Sequence, residues 1–167
     1  MQLWSKGTPL QEKIEAFTTG KDRELDVLLA PFDVLGSIAH ITMLHKVGLL
    51  SESDFLPLKR ELQSIFTQTK EGKFNIDRGV EDVHSQVEFL LTNKLGAAGK
   101  KIHSGRSRND QVLVDLKMYY RHAIFLLVKE AQTFFDLLIS LSERHKDVLL
   151  PGYTHFQVAM PSSFGLW

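Results

Sequence analysis

The chain has 167 residues, 43% hydrophobic and 24% charged, with 20 basic residues set against 20 acidic ones and no cysteine. This composition suits an ordinary globular protein, offers no net field to attract nucleic acid or an anionic membrane, and excludes disulfides, thiolate metal sites and cysteine nucleophiles together. Met1-Gln2-Leu3-Trp4-Ser5-Lys6 has no apolar core after a basic start, so it does not read as a secretory signal, and no apolar run approaches the ~20 residues of a membrane span. A cytoplasmic protein is expected.

The elements read as almost wholly helical. A helix is expected over 31–47, where Pro31 at a first-turn position leads into Phe32, Leu35, Ile38, Ala39, Thr42 and Met43, with Gly48 as the stop. A second is expected over about 53–70, with Phe55, Leu58, Leu62, Ile65 and Phe66 on one face, its start blurred by Pro57. A third, over about 80–95, buries Val83, Val87, Leu90 and Leu91 and meets Gly96. The longest signal follows: from Ser107 to about Leu149 there is neither glycine nor proline, enough for a helix of roughly 60 Å. Val112, Leu116, Tyr119, Ala123, Leu127, Ala131, Phe134, Leu138 and Leu141 form one stripe, and further apolar residues lie around the axis. Such a rod needs several partners, as in a multi-helix bundle shared between subunits. The fold class is all-α, an N-terminal helical domain over 1–106 followed by the start of a long-helix bundle over 107–167. Pro151 to His155 reads as a short loop between two helices. Pro161-Ser162-Ser163 is suited to opening another helix, so the chain reads as part of something longer.

Two places carry chemistry. In Gly99-Lys100-Lys101-Ile102-His103-Ser104-Gly105-Arg106-Ser107-Arg108-Asn109-Asp110-Gln111, the glycines allow a tight turn, Ser107 is a good helix cap, and the first helical N–H groups carry the positive end of the helix dipole. That is an anion site. Arg108 can fork onto a carboxylate and Asn109 can donate another hydrogen bond, which favours a small dicarboxylate over a nucleotide. The bland alternative weighs equally at this point: Ser107 only caps, and the arginines are solvated. In Tyr153-Thr154-His155, a histidine beside a hydroxyl in a constrained loop could move a proton near neutral pH, although most such histidines are structural. Glu81-Asp82-Val83-His84 crowds an imidazole with two carboxylates, but acidic residues suit a helix start in any case. His40, His45, His122 and His145 read as surface or partly buried groups, and no histidine pair has metal-ligand spacing backed by carboxylates, so no metal site is expected.

The run from His103 to Gln111, the segment around His84, and Leu150-Pro151-Gly152-Tyr153-Thr154-His155 together resemble three consecutive blocks of the argininosuccinate lyases, within the fumarase and aspartase superfamily. Leu3-Trp4, Gly36-Ser37-Ile38-Ala39-His40 and Met43-Leu44 extend the resemblance. It implies a fumarase/aspartase-like all-α fold and the reversible elimination of fumarate from argininosuccinate to give arginine, a carbon–nitrogen lyase reaction of arginine biosynthesis with no cofactor. It further implies that Ser107, Arg108 and Asn109 bind succinyl carboxylates, that Thr154 and His155 form the substrate-binding and proton-transfer loop, that His84 is a further active-site histidine, and that Asp26 meets the guanidinium. Two departures are Thr18-Thr19-Gly20-Lys21, in place of the usual serine-containing approach to Asp26, and Met160, where glutamine is common. The resemblance places a serine base and a lysine on a downstream loop with no counterpart here, and active sites shared among subunits of a homotetramer, so this chain alone is expected to be inactive. A sister lyase such as adenylosuccinate lyase or aspartase, or a crystallin-like structural helical protein, are the alternatives.

Overall fold

The computed structural model describes residues 20–167 together with Ile14 and Phe17. The resemblance at Leu3-Trp4 and the departure at Thr18-Thr19 lie outside the described residues. Within them the elements are α1 (Asp22–Asp26), α2 (Ala30–Lys46), α3 (Glu52–Lys70), α4 (Val83–Leu95), α5 (Ala97–Lys100), a 3-10 turn (Lys101–His103), α6 (Arg108–His145), β1 (Leu149–Thr154) and β2 (Gln157–Ser163). The architecture is all-α with one two-stranded hairpin. No described helix is long and apolar enough to cross a membrane.

The chain divides into two compact units, with the division at Tyr120/Arg121 inside α6. In the first, α3 starts where Ser51 Oγ accepts the Asp54 N–H at 3.3 Å, and Phe55, Leu58, Leu62 and Ile65 form its buried face, the stripe expected from spacing. Pro57 is accommodated as the sixth helical residue. α4 starts three residues later than expected because Asp82 is its cap, Oδ1 accepting the Ser85 N–H at 2.8 Å. Val83, Val87 and Leu91 of α4 and Ile102 of the following turn complete a core with Val34, Ile41 and Leu44 of α2. Gly99 fits here because a Cβ would lie 2.5 Å from the Thr92 nitrogen and 2.6 Å from the Leu91 carbonyl carbon.

α2 corrects the expected stripe. Leu35 and Met43 are exposed, and the buried face is Ala30, Asp33, Val34, Ser37, Ile41 and Leu44. Two polar residues occupy core positions because each has a hydrogen-bond partner, His84 for Asp33 and Arg106 for Ser37, and buried polar groups persist only where they are partnered. The first turns of α6 also pack against this helix, with Val114 and Asp115 near Gly36 and the rings of Phe32 and Tyr119 edge-on at 5.9 Å.

In the second unit, the remainder of α6 is lined with exposed apolar side chains, among them Phe125, Leu127, Phe134 and Leu138. The segment after it corrects the sequence reading, for it is an antiparallel hairpin and not a loop leading to a new helix. Pro151 pairs with Pro161, Gly152 with Met160 and Thr154 with Gln157. His155 and Phe156 form the tip at φ 49° and 62°, as a tight two-residue hairpin turn requires. Pro161 biases Met160 away from helical backbone, and the β-branched Val158 suits a strand. The hairpin closes onto the end of α6 through Ser142 Oγ, which donates to Gly165 O at 2.5 Å, and Gly165 N, which donates to His145 O at 3.1 Å. A Cβ on Gly165 would sit 2.4 Å from the Ser142 carbonyl oxygen.

Candidate functional site

The arch leading into α6 is held at each point. His40 Nε2 donates to Ser104 O at 2.8 Å, and Gly105 takes φ +77°, a left-handed conformation that glycine tolerates best. Ser107 and Asp110 cap α6 reciprocally: the Ser107 N–H donates to Asp110 Oδ2 at 2.7 Å and the Asp110 N–H to Ser107 Oγ at 3.4 Å. This is a capping box with aspartate in the third position. The hydrogen bond from the Ser107 backbone holds the Asp110 carboxyl below its ordinary range.

The two arginines of the arch diverge. Arg106 turns inward, where Nη2 donates to the fully buried Ser37 Oγ at 2.9 Å. Arg108 turns toward the start of α4, where Nη2 donates to Ser85 Oγ at 2.9 Å and Nη1 pairs with the Asp82 carboxylate. Burial lowers both guanidinium pKa values, opposed in Arg106 by Asp33, Asp115 and Asp110 and in Arg108 by Glu81, Asp33 and Asp26. Asn109 is exposed beside them.

Behind the arch lies a cluster that sequence reasoning missed apart from His84. The His84 Nδ1–H donates to Asp33 Oδ1 at 2.8 Å and lies 3.8 Å from Asp115 Oδ2, and all three side chains are at most 2% exposed. Gln111 Nε2 approaches the same Asp33 oxygen at 3.4 Å. Burial would lower the His84 pKa, but the hydrogen bond to Asp33 and the charges of Asp33, Asp115 and Asp26 outweigh it and hold the imidazole above its ordinary value. Burial, then the Asp33 charge, pushes the Asp115 carboxyl up to about 7. The three ligand atoms lie within 4.8 Å of one another, close enough to enclose a cation. The His84 proton and the Arg106 guanidinium already compensate the two carboxylates there, so the cluster is read as charge-balanced by the protein itself. The signal in the sequence was spacing: Asp33 and Ser37 one turn apart on α2, and Gln111 and Asp115 one turn apart on α6, each place polar groups along one helical face.

The first unit thus brings together Asp26, His84, Ser107, Arg108 and Asn109. Asp26 sits at the end of α1, where Oδ2 accepts the Val83 N–H at 3.3 Å, and burial raises its pKa against that hydrogen bond. His84 is enclosed among side chains at 2% exposure. A cleft of about 320 Å³ beside the arch is lined by Leu35, Ala39, His40, Arg106, Asp110 and Met118. A hollow of about 400 Å³ along the hairpin has no ionisable lining, which makes the arch the better place for polar chemistry. Thr154 and His155 belong to the second unit, exposed at the end of β1 and the hairpin tip.

Comparison with known proteins gives the family. Argininosuccinate lyase of Parabacteroides distasonis is 58% identical over 166 residues, covering 99% of this chain and 37% of its own length. The same-named protein of Phocaeicola vulgatus is 57% identical with the same coverage, and that of Sorangium cellulosum is 40% identical over 167 residues, all of this chain and 39% of its own. The chain therefore spans less than two fifths of the length of these relatives. The profile of the lyase family matches residues 4–167, and with the arch, the buried cluster and the hairpin all inside that match, the chain belongs to the lyase family.

Proposed function

We propose that this chain supplies the N-terminal portion of an argininosuccinate lyase, a cytoplasmic enzyme of arginine biosynthesis that splits argininosuccinate into arginine and fumarate without a cofactor. The observation that carries the reading is the alignment of relatives bearing that name across 99% of the chain, with the arch inside it. The proposed division is an N-terminal domain over 1–106 that supports the arch and a rod from 107 onward that enters a central bundle. The exposed apolar residues of α6 are covered there by helices of a homotetramer, whose subunits share active sites.

In this reading, Ser107, Arg108, Asn109 and the opening N–H groups of α6 grip the carboxylates of the succinyl moiety. Asp26, an anion beside Arg108, takes the guanidinium at the other end of the substrate. Removal of a proton from the carbon next to a carboxylate pushes charge onto that carboxylate, and the C–N bond then breaks, releasing fumarate and arginine. Fixed donors aimed at the charged intermediate are the main source of acceleration, each worth about 3 kcal/mol. Thr154 and His155 bind substrate and move the proton. The base is a serine on a downstream loop, so the 167-residue polypeptide by itself releases no fumarate.

Ultraviolet assay of fumarate release by the full-length protein carrying this chain tests the reading. Turnover of argininosuccinate, in preference to adenylosuccinate and aspartate, is expected. A preference for either of the others would replace the substrate, and binding of none of them would leave a structural helical protein.

A further inference from the structure

We propose that Asp33, His84 and Asp115 form a positioning cluster that sets the arch in its substrate-gripping geometry. The inference rests on the function proposed above and deepens it. One ionisable side chain comes from each of three helices, α2, α4 and α6, and all three meet at no more than 2% exposure. Burying such groups is costly, and apolar residues of similar volume often serve stability as well or better. Their value therefore lies in what their geometry fixes.

Two of the members are tied to grips on the arch, His84 through its neighbour Ser85 and Asp33 through Gln111 and Ser37. Ser85, next to His84 in α4, accepts from Arg108. Asp33 meets Gln111, three residues past Arg108, at the same oxygen that takes the His84 proton. Ser37, one turn beyond Asp33, accepts from Arg106. The direction of both arginines thus depends on how α2 and α4 sit against the first turns of α6, and the His84–Asp33 hydrogen bond fixes that seat. Asp33 Oδ2 and both Asp115 oxygens have no hydrogen-bond partner among the described residues. Electrostatic attraction to His84 and Arg106 is then what holds Asp115, and its protonation decides how strongly Arg106 is drawn inward.

The charged groups facing the cluster are Asp26 from α1, Arg106 and His103 from the segment before α6, and Arg108 from the start of α6, with Asp110 acting on Arg106. Of these, His103 has its pKa lowered by burial, against the pull of Glu88. Arg106 and Arg108 keep their charge through neutral pH, so the protonation of His84 and of Asp115 is what varies.

The test uses the full-length protein and three variants, His84→Leu, His84→Asn and Asp115→Asn. Fumarate release is measured from roughly pH 6 to 9, and succinate binding is followed by calorimetry. His84→Leu, which leaves Asp33 without its donor, is expected to raise KM and weaken succinate binding ~10-fold, with a smaller effect on kcat. His84→Asn keeps an N–H toward Asp33 and is expected to recover most of that loss. Asp115→Asn is expected to move or erase the near-neutral inflection in the pH profile of kcat/KM and of succinate binding. Wild-type behaviour in both His84→Leu and Asp115→Asn, or equal loss in His84→Asn and His84→Leu, overturns the proposal. Should His84→Leu fail to fold by circular dichroism, the near-isosteric Asp115→Asn decides: an unchanged pH profile overturns the proposal. Wild-type protein that turns over argininosuccinate while the variants match it sinks this inference alone. Wild-type protein that neither turns over nor binds succinate sinks the functional reading with it.

Discussion

His84 Nδ1 stands 2.8 Å from Asp33 Oδ1, across a gap of 51 residues in sequence and with both side chains sealed from solvent. The bond joins α2 to α4 directly beneath the arch that opens α6. It ties the histidine that the resemblance marks as an active-site residue to a carboxylate on another helix.

A pH dependence of stability follows from this pair and Asp115. The His84 imidazole is held above its ordinary value, and the Asp115 carboxyl is raised to about 7. Both groups bind more protons folded than unfolded through neutrality, so stability falls as pH rises. The His84 contribution is complete below the ordinary imidazole range and is lost as pH passes its raised value. That of Asp115 is complete below the usual carboxylate range and is lost on passing about pH 7. The lowered pKa values of His40 and His103 act in the opposite sense, so the pair is read by difference: between mildly acidic and mildly alkaline buffer the wild-type melting temperature is expected to fall relative to that of Asp115→Asn. A wild-type melting temperature that climbs relative to Asp115→Asn would reverse the sign assigned here.

Ser107 and Asp110 close the start of α6 in both directions. Ser107→Ala removes the hydroxyl that accepts the Asp110 N–H and is expected to cost about 1 kcal/mol. Urea denaturation measures it, and Ser107→Asp, another good cap, is expected to restore most of the loss.

Gly99 is fixed by close approach, since an added methyl would meet the backbone of Leu91 and Thr92 at 2.5 to 2.7 Å. Gly99→Ala is expected to destabilise the first unit by about 1–3 kcal/mol, because backbone atoms cannot swing aside as a side chain can. Gly72→Ala faces open space and meets only the strain of its φ of +68°, so chemical denaturation should rank it as the milder change.

Much of this was legible in the sequence. The faces of α3 and α4 follow from apolar spacing, the length of α6 from a run without glycine or proline, and the capped arch from its glycines and Ser107. The buried face of α2 was misread because Asp33 and Ser37 look solvent-facing until His84 and Arg106, 51 and 69 residues away, supply their partners. Asp115 was hidden for the same reason. The hairpin over 149–163 was misread because Pro161 followed by serines looks like a helix start, whereas the pairing that makes it a strand lies in Leu149 to Thr154. Local spacing reports local preference, and the cluster exists only through contacts between distant segments.

The grip of the arch on a dicarboxylate is tested most directly by fumarate release from argininosuccinate in the full-length protein, comparing wild type with Arg108→Ala and His155→Ala. Each variant is expected to lose at least ~100-fold in kcat/KM while keeping its fold by circular dichroism. Near-normal rates in both would contradict the account.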